Sequence, residues 1–178
     1  MLKVVADRFR DGGFAGTSLD DIVAATGLKR PSLYAAFGDK KAMYLKAIAR
    51  LHREMTASFD RLDDANLPMR ETLASLFAYS IAAYLAGPGG HRGCLATGTA
   101  TAEAVSDTDI RAALEGIITL IDARIERFFA RHDIADAAGR ARLVGAILHS
   151  LSIRARAGQP REVLEQIAGD AIELIVPR

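Results

Sequence analysis

Between residues 28 and 34 the chain reads "LKRPSLY", which sets two cations, Lys29 and Arg30, beside two hydroxyls, Ser32 and Tyr34. Side chains of these types bind polyanions. Arg and Lys donate to phosphates and to the acceptor edges of bases, and hydroxyls donate to phosphate oxygens. Pro31 fits the first turn of a helix, where its missing N–H has no partner to lose. The cations therefore fall at a helix N-terminus.

Catalytic chemistry is not expected. The chain has no nucleophile elbow, no phosphate-cradling glycine loop and no His-Glu metal pair, and "GPGG" at 87–90 follows a helical pattern rather than a strand. His52, His91, His132 and His149 are too far apart in sequence to propose a metal site, and no cofactor is expected. Cys94, the single cysteine, excludes an internal disulfide and fits a reducing compartment; it reads as a buried structural thiol before a redox sensor. No apolar run approaches the ~20 residues of a membrane span, and "MLKVVADRFRDGG" lacks a signal-peptide core. A cytoplasmic protein with no membrane partner is expected.

The elements that must position the basic segment are helices. Ile110, Leu114, Ile117, Ile118, Ile121, Ile125 and Phe128 recur at steps of three and four, and Leu73, Leu76, Phe77, Ile81 and Tyr84 do the same earlier. Glycine and proline breakers separate such stripes, and no alternating run requires a strand, so the chain is expected to be all-α with about nine helices. "TSLDDIVAATG" opens with Thr17 and Ser18, carries Asp20 and Asp21 in its first turn, and stops at Gly27. Two short helices joined through that glycine form a helix-turn-helix pattern. Phe9, Phe14, Ile22, Leu28, Leu33 and Phe37 are spaced to form its small core, which leaves Lys29, Arg30, Ser32 and Tyr34 facing outward as a recognition helix for the major groove. Charge agrees: residues 1–55 hold ten Lys or Arg against six acids, and every lysine lies in the first 46 residues.

Phe9, Gly13-Phe14, Thr17-Ser18, Ile22, Gly27, Leu33-Tyr34, Phe37 and Lys40 together resemble the N-terminal signature of tetracycline-repressor-like (TetR family) transcriptional regulators. The resemblance implies a three-helix DNA-binding head over residues 1–42 and a larger helical ligand-binding and dimerisation domain over 43–178. It implies a homodimer on double-stranded, palindromic operator DNA, with a small-molecule effector that moves the heads. It adds Thr17 as helix cap and phosphate donor, and Tyr34 and Lys40 as phosphate contacts. Family members usually have a further turn or two of helix before the position matching Met1. A truncated first helix would impair the head, so the second reading is a dimeric helical small-molecule-binding protein.

The larger domain carries two further expectations. Phe77, Tyr79, Tyr84, Glu103, Ile118, Ile121 and Phe128 are candidates to line a mostly apolar effector pocket. The last two helices are apolar beyond a single stripe, so Leu143, Ile147, Leu151, Leu164, Ile167 and Ala171 are expected at a two-fold four-helix interface. The function expected is a DNA-binding regulator, a repressor released from its operator by a small molecule.

Overall fold

A computed structural model describes residues 1–87 and 89–177. Among these the chain forms nine helices and no strand.

The first three helices and the start of the fourth build one small core. In α1 (Leu2–Gly12) the i, i+4 pair Val5 and Phe9 is fully buried. Ser18 caps α2 (Leu19–Thr26): its hydroxyl accepts from the Asp21 N–H at 3.1 Å while the Asp21 carboxylate accepts from the Ser18 N–H at 2.8 Å. Gly27 ends the helix at φ 69°, where a Cβ would meet no neighbour; glycine is favoured there by the left-handed backbone and not by lack of room. α3 (Arg30–Phe37) starts with Pro31 in its first turn, and Asp39 caps α4 (Lys40–Ala65) by accepting from the Ala42 N–H. Ile22, Leu33, Met43 and Tyr44 close over Val5 and Phe9, with the Tyr44 and Phe9 rings edge to face at 5.1 Å. Phe14, Leu28 and Phe37 pack against this core but stay partly exposed.

Thr17 departs from its expected role as a cap. It is buried, and its hydroxyl faces the carbonyls of Gly13 and Arg8 at 2.7 and 3.1 Å, closing the connection between α1 and α2. The cap belongs to Ser18 alone.

The remaining helices are α5 (Met69–Tyr84), α6 (Leu95–Glu103), α7 (Thr108–Arg131), α8 (Ala137–Arg156) and α9 (Arg161–Ile175). α8 presents Ala141, Val144, Gly145, Leu148, Leu151, Ser152 and Ala155 inward, and its small residues let α7 approach: a Cβ on Gly145 would sit 2.7 Å from Asp122 Oδ1. Ile117, Ile125, Phe128 and Phe129 of α7 fill the opposing side, each side chain of that size contributing about 1.5–3 kcal/mol on burial. The head's core and the body's core are continuous. Tyr44 links them, its phenol 2.6 Å from Thr99 Oγ1 on α6, and burial pushes that phenol up to about 12. A boundary at residues 42–43 falls inside the first turn of α4, so head and body share a helix.

Candidate nucleic-acid interface and cavity

Leu33 is the fully buried residue of α3, and it fixes which way the helix faces. Lys29, Arg30, Ser32 and Tyr34 all stand on the solvent side, Tyr34 with 43% of its surface exposed. Lys29 occupies the N-cap position, and Arg30 begins the helix. The Arg30 guanidinium donates to Asp20 on α2 at 2.7 Å. Both partners are more than half exposed, so the pair is weak and Arg30 is free to exchange Asp20 for a phosphate or a base edge.

Other head cations have different partners. Lys40 holds its ammonium 4.6 Å above the Phe14 ring. Lys46 donates to the Phe37 carbonyl at 3.1 Å, at the C-terminal end of α3. Lys41 lies 2.7 Å from both Asp107 and Asp109 at the start of α7; its hydrogen bonds, led by that to Asp107, raise it to about 12. Thr17, 3% exposed, presents no hydroxyl to the surface and is not placed to donate to a phosphate.

Beneath the head lies a cavity of about 450 Å³, walled by α1, α4, α5 and α6, with Ile121 of α7 and Leu148 of α8 at its floor. Its size is that of a small-ligand site. Tyr79, Tyr84 and Ile121 of the expected pocket line it. The other four lie elsewhere: Phe77 and Phe128 are fully packed core, Ile118 is exposed on the outer side of α7, and Glu103 sits at the far end of α6. The reason is visible in α5. Of its apolar stripe, Leu73, Phe77 and Ile81 face the core while Leu76 and Tyr84 reach the cavity, where Ser75, Tyr79, Ser80 and Ala83 join them. The middle of the apolar stripe marked packing, and the site took its edge together with the hydroxyl-bearing face.

The family of bacterial regulatory proteins of the tetR type matches residues 2–47. The HTH-type transcriptional repressor ComR of Escherichia coli K12 is 29% identical over 174 residues, covering 93% of this chain and 82% of ComR. A cysteine mutant of the TetR family transcriptional regulator CifR, solved with 26-bp double-strand operator DNA, superposes with a TM-score of 0.80 at 29% identity, over 97% of this chain and 93% of CifR. A TetR family regulator from Agrobacterium tumefaciens shares the fold at a TM-score of 0.88 and 17% identity, over 99% of this chain and 95% of that one.

The head of this chain is of the tetR family, and nearly the whole chain is similar to TetR regulators.

Three arginines join this head to the body. Arg10 of α1 donates to the Gly93 and Ala83 carbonyls, both at 2.7 Å. Arg92 bridges back to Asp7 and Asp11 at 3.0 and 2.5 Å, and Arg156 near the end of α8 donates to the Arg10 and Arg92 carbonyls at 2.9 and 3.1 Å. Gly93 sits in the middle at φ 61°, its would-be Cβ 2.8 Å from the Ser152 carbonyl, so the loop hugs α8. Sequence reasoning missed all three arginines. Their partners are mostly backbone carbonyls, which carry no residue-type signal.

The expected interface residues divide into two stripes on α8 and α9. Leu151 and Leu164 are fully buried within the chain, and Ala171 is 6% exposed; these pack α8 and α9 onto the body and present nothing to a partner. Leu143, 57% exposed, and the half-buried Ile147 and Ile167 lie on outer faces. On α9, Val163, Ile167 and Leu174 run one residue out of step with the buried Leu164, Ala168, Ala171 and Ile175. Leu174, 85% exposed, was not anticipated.

Among the described residues no helix is long and apolar enough to cross a membrane, and no cluster of metal-ligating side chains forms.

Proposed function

We propose that this chain is a transcriptional repressor that binds an inverted-repeat operator in the cytoplasm as a homodimer, and that a small molecule in the cavity beneath its heads releases it. The observation that carries the DNA-binding part is the α3 face: Lys29, Arg30, Ser32 and Tyr34 stand exposed on a helix whose opposite side is locked by Leu33 against Ile22 and Phe9. A rigidly held short helix with cations at its N-terminus suits the major groove, with base edges read by Arg30 and phosphates held by Lys29, Ser32, Tyr34 and Lys40. CifR, similar over nearly the whole chain, is solved on operator DNA, and ComR is a repressor. With Val5 and Phe9 of α1 fully buried, the head has the support that the impaired-head reading denies it. Lining by Leu51, Met55, Leu76 and Ile121, together with the hydroxyls of α5, supports the effector part. The exposed stripes of Leu143, Ile147, Val163, Ile167 and Leu174 support dimerisation through α8 and α9.

Selection of bound fragments from a genomic DNA pool tests this directly. An inverted repeat with half-sites about one helical turn or a multiple apart is expected, bound with an affinity that falls steeply with salt. Uniform recovery of all fragments would remove the operator reading.

A further inference from the structure

The cavity has a polar end and an apolar end, and its polar end is built around a half-buried arginine, Arg10. Burial holds the Arg10 guanidinium below its usual value, with Cys94, Arg92, Asp7 and Tyr84 as lesser influences. No carboxylate hydrogen-bonds it among the described residues. Of its five donors, Nε and one on Nη2 are used by carbonyls, leaving both N–H groups of Nη1 and the second of Nη2. Tyr84 and Ser80, one turn apart on α5, stand on the same wall of the cavity as further hydroxyls.

Charge on the rest of the lining points the same way. The acids of the lining, Asp7 and Glu54, are each taken by an arginine, Asp7 by Arg92 at 3.0 Å and Glu54 by Arg50. Lys3 and Arg61 also line the cavity and have no acidic partner among the described residues, Arg61 donating to Ser58 Oγ at 2.8 Å. The apolar end is Leu51, Met55, Phe59, Leu62 and Leu76.

We propose that the effector is a small amphipathic carboxylate, with its anion on the Arg10 guanidinium and its hydrocarbon body against Leu51, Met55, Leu62 and Leu76. This rests on the effector cavity put forward above and adds the ligand's chemical class. A carboxylate matches the planar fork that Arg10 leaves unfilled. A neutral ligand of the same shape leaves that cation without a counter-charge, and a cationic one is repelled by it. Because Arg10 lies on α1 of the head and also holds the Ala83 and Gly93 carbonyls, the anion competes for the group that seats the head on the body.

Calorimetric titration of the full chain with octanoate, octanamide, octan-1-ol and octylamine at neutral pH tests the class. Octanoate is expected to bind about ten- to a hundred-fold more tightly than the amide or the alcohol, the range of one charge-assisted hydrogen bond. Arg10→Gln is expected to bring octanoate down to the amide's affinity while the amide is unchanged. Ser80→Ala, on the same wall of the cavity as Arg10, is expected to weaken octanoate by a smaller factor with the fold intact, so the anion site is readable even if Arg10→Gln does not fold. Amide or alcohol binding as well as octanoate would overturn the carboxylate and leave the cavity as an effector site. An amine binding best would also overturn it. If none of these and no compound of a wider apolar panel binds or shifts the melting temperature, the effector cavity itself is wrong.

Discussion

Arg30 meets Asp20 in the free protein, and in the proposed complex DNA displaces that acid as the guanidinium reaches a base. Because the pair is exposed, its loss costs little, and the full base contact remains to be gained. Arg30→Ala is expected to weaken operator binding by about 1–3 kcal/mol per half-site and to change affinity for random DNA much less. Lys40→Ala is expected to weaken both alike and to lower the salt slope by about one unit per head. Anisotropy titrations on operator and scrambled duplexes across a salt series separate the two; equal losses on both sequences for Arg30→Ala would move it to the phosphate backbone. The outward set on α3 was legible in the sequence because proline, glycine and apolar spacing fix the orientation of so short a helix. Thr17 was not. Its type suits a cap or a phosphate contact equally, and only the approach of the Arg8 and Gly13 carbonyls shows that folding had already engaged its hydroxyl.

Helix starts carry the next level of control. Asp107 caps α7 by accepting from the Asp109 and Ile110 N–H groups, and it also meets Lys41 of α4. Its hydrogen bond from Lys41, helped by those backbone donors, holds the carboxyl below the usual carboxylate range. A depressed folded value means that this contribution is present above the unfolded value near 4 and is lost as pH falls through the lower folded one. Lys41 behaves oppositely: its contribution is full below the unfolded value near 10.4 and is lost as pH rises through about 12. Asp107→Asn keeps a capping side chain and removes the acid partner. Thermal melts are expected to show a shallower loss of stability below about pH 4 in that variant, with the alkaline edge partly kept by Asp109. Identical acid limbs would mean that the pair contributes nothing. At this scale an all-α chain of about nine helices was legible from periodicity and breakers, because 3.6-residue spacing is a local signal, although α6 had no stripe to mark it. The faces of α5, α8 and α9 were not fully legible. An apolar stripe reports burial without saying whether it faces the same chain, a partner or a cavity, and on α9 two such stripes lie one residue apart.

Assembly of the whole molecule separates those stripes experimentally. Leu143→Asp, on the outer face of α8, is expected to yield folded monomers, with helicity kept and sedimentation at half the mass. Leu151→Asp places an unpaired charge in the protomer's own core and is expected to cost several kcal/mol and abolish the folded state at any concentration. A Leu143→Asp protein that still sediments as a dimer would place the interface elsewhere. The continuous core through Tyr44 and Thr99 and the arginine ties at residues 10, 92 and 156 make the head a seated part of one body; neither was legible beforehand, because both join segments far apart in sequence.

Lys3, Lys29, Lys40, Lys41 and Lys46 are all the lysines of the chain, and they lie on α1, at the start of α3 and on the first turns of α4, while residues 47–178 carry 15 arginines and no lysine. Primary amines are therefore a chemical address for one end of the molecule. An acylating reagent tags the head and the N-terminus and leaves everything beyond residue 46 blank, so the mass added to the intact chain is a direct gauge of how far bound DNA shields that end. Lys41, clasped by Asp107 and Asp109, is expected to acquire its tag last. A protease that cleaves only after lysine would release residues 47–178 as a single piece, which turns the opening of the head into a band that can be timed on a gel.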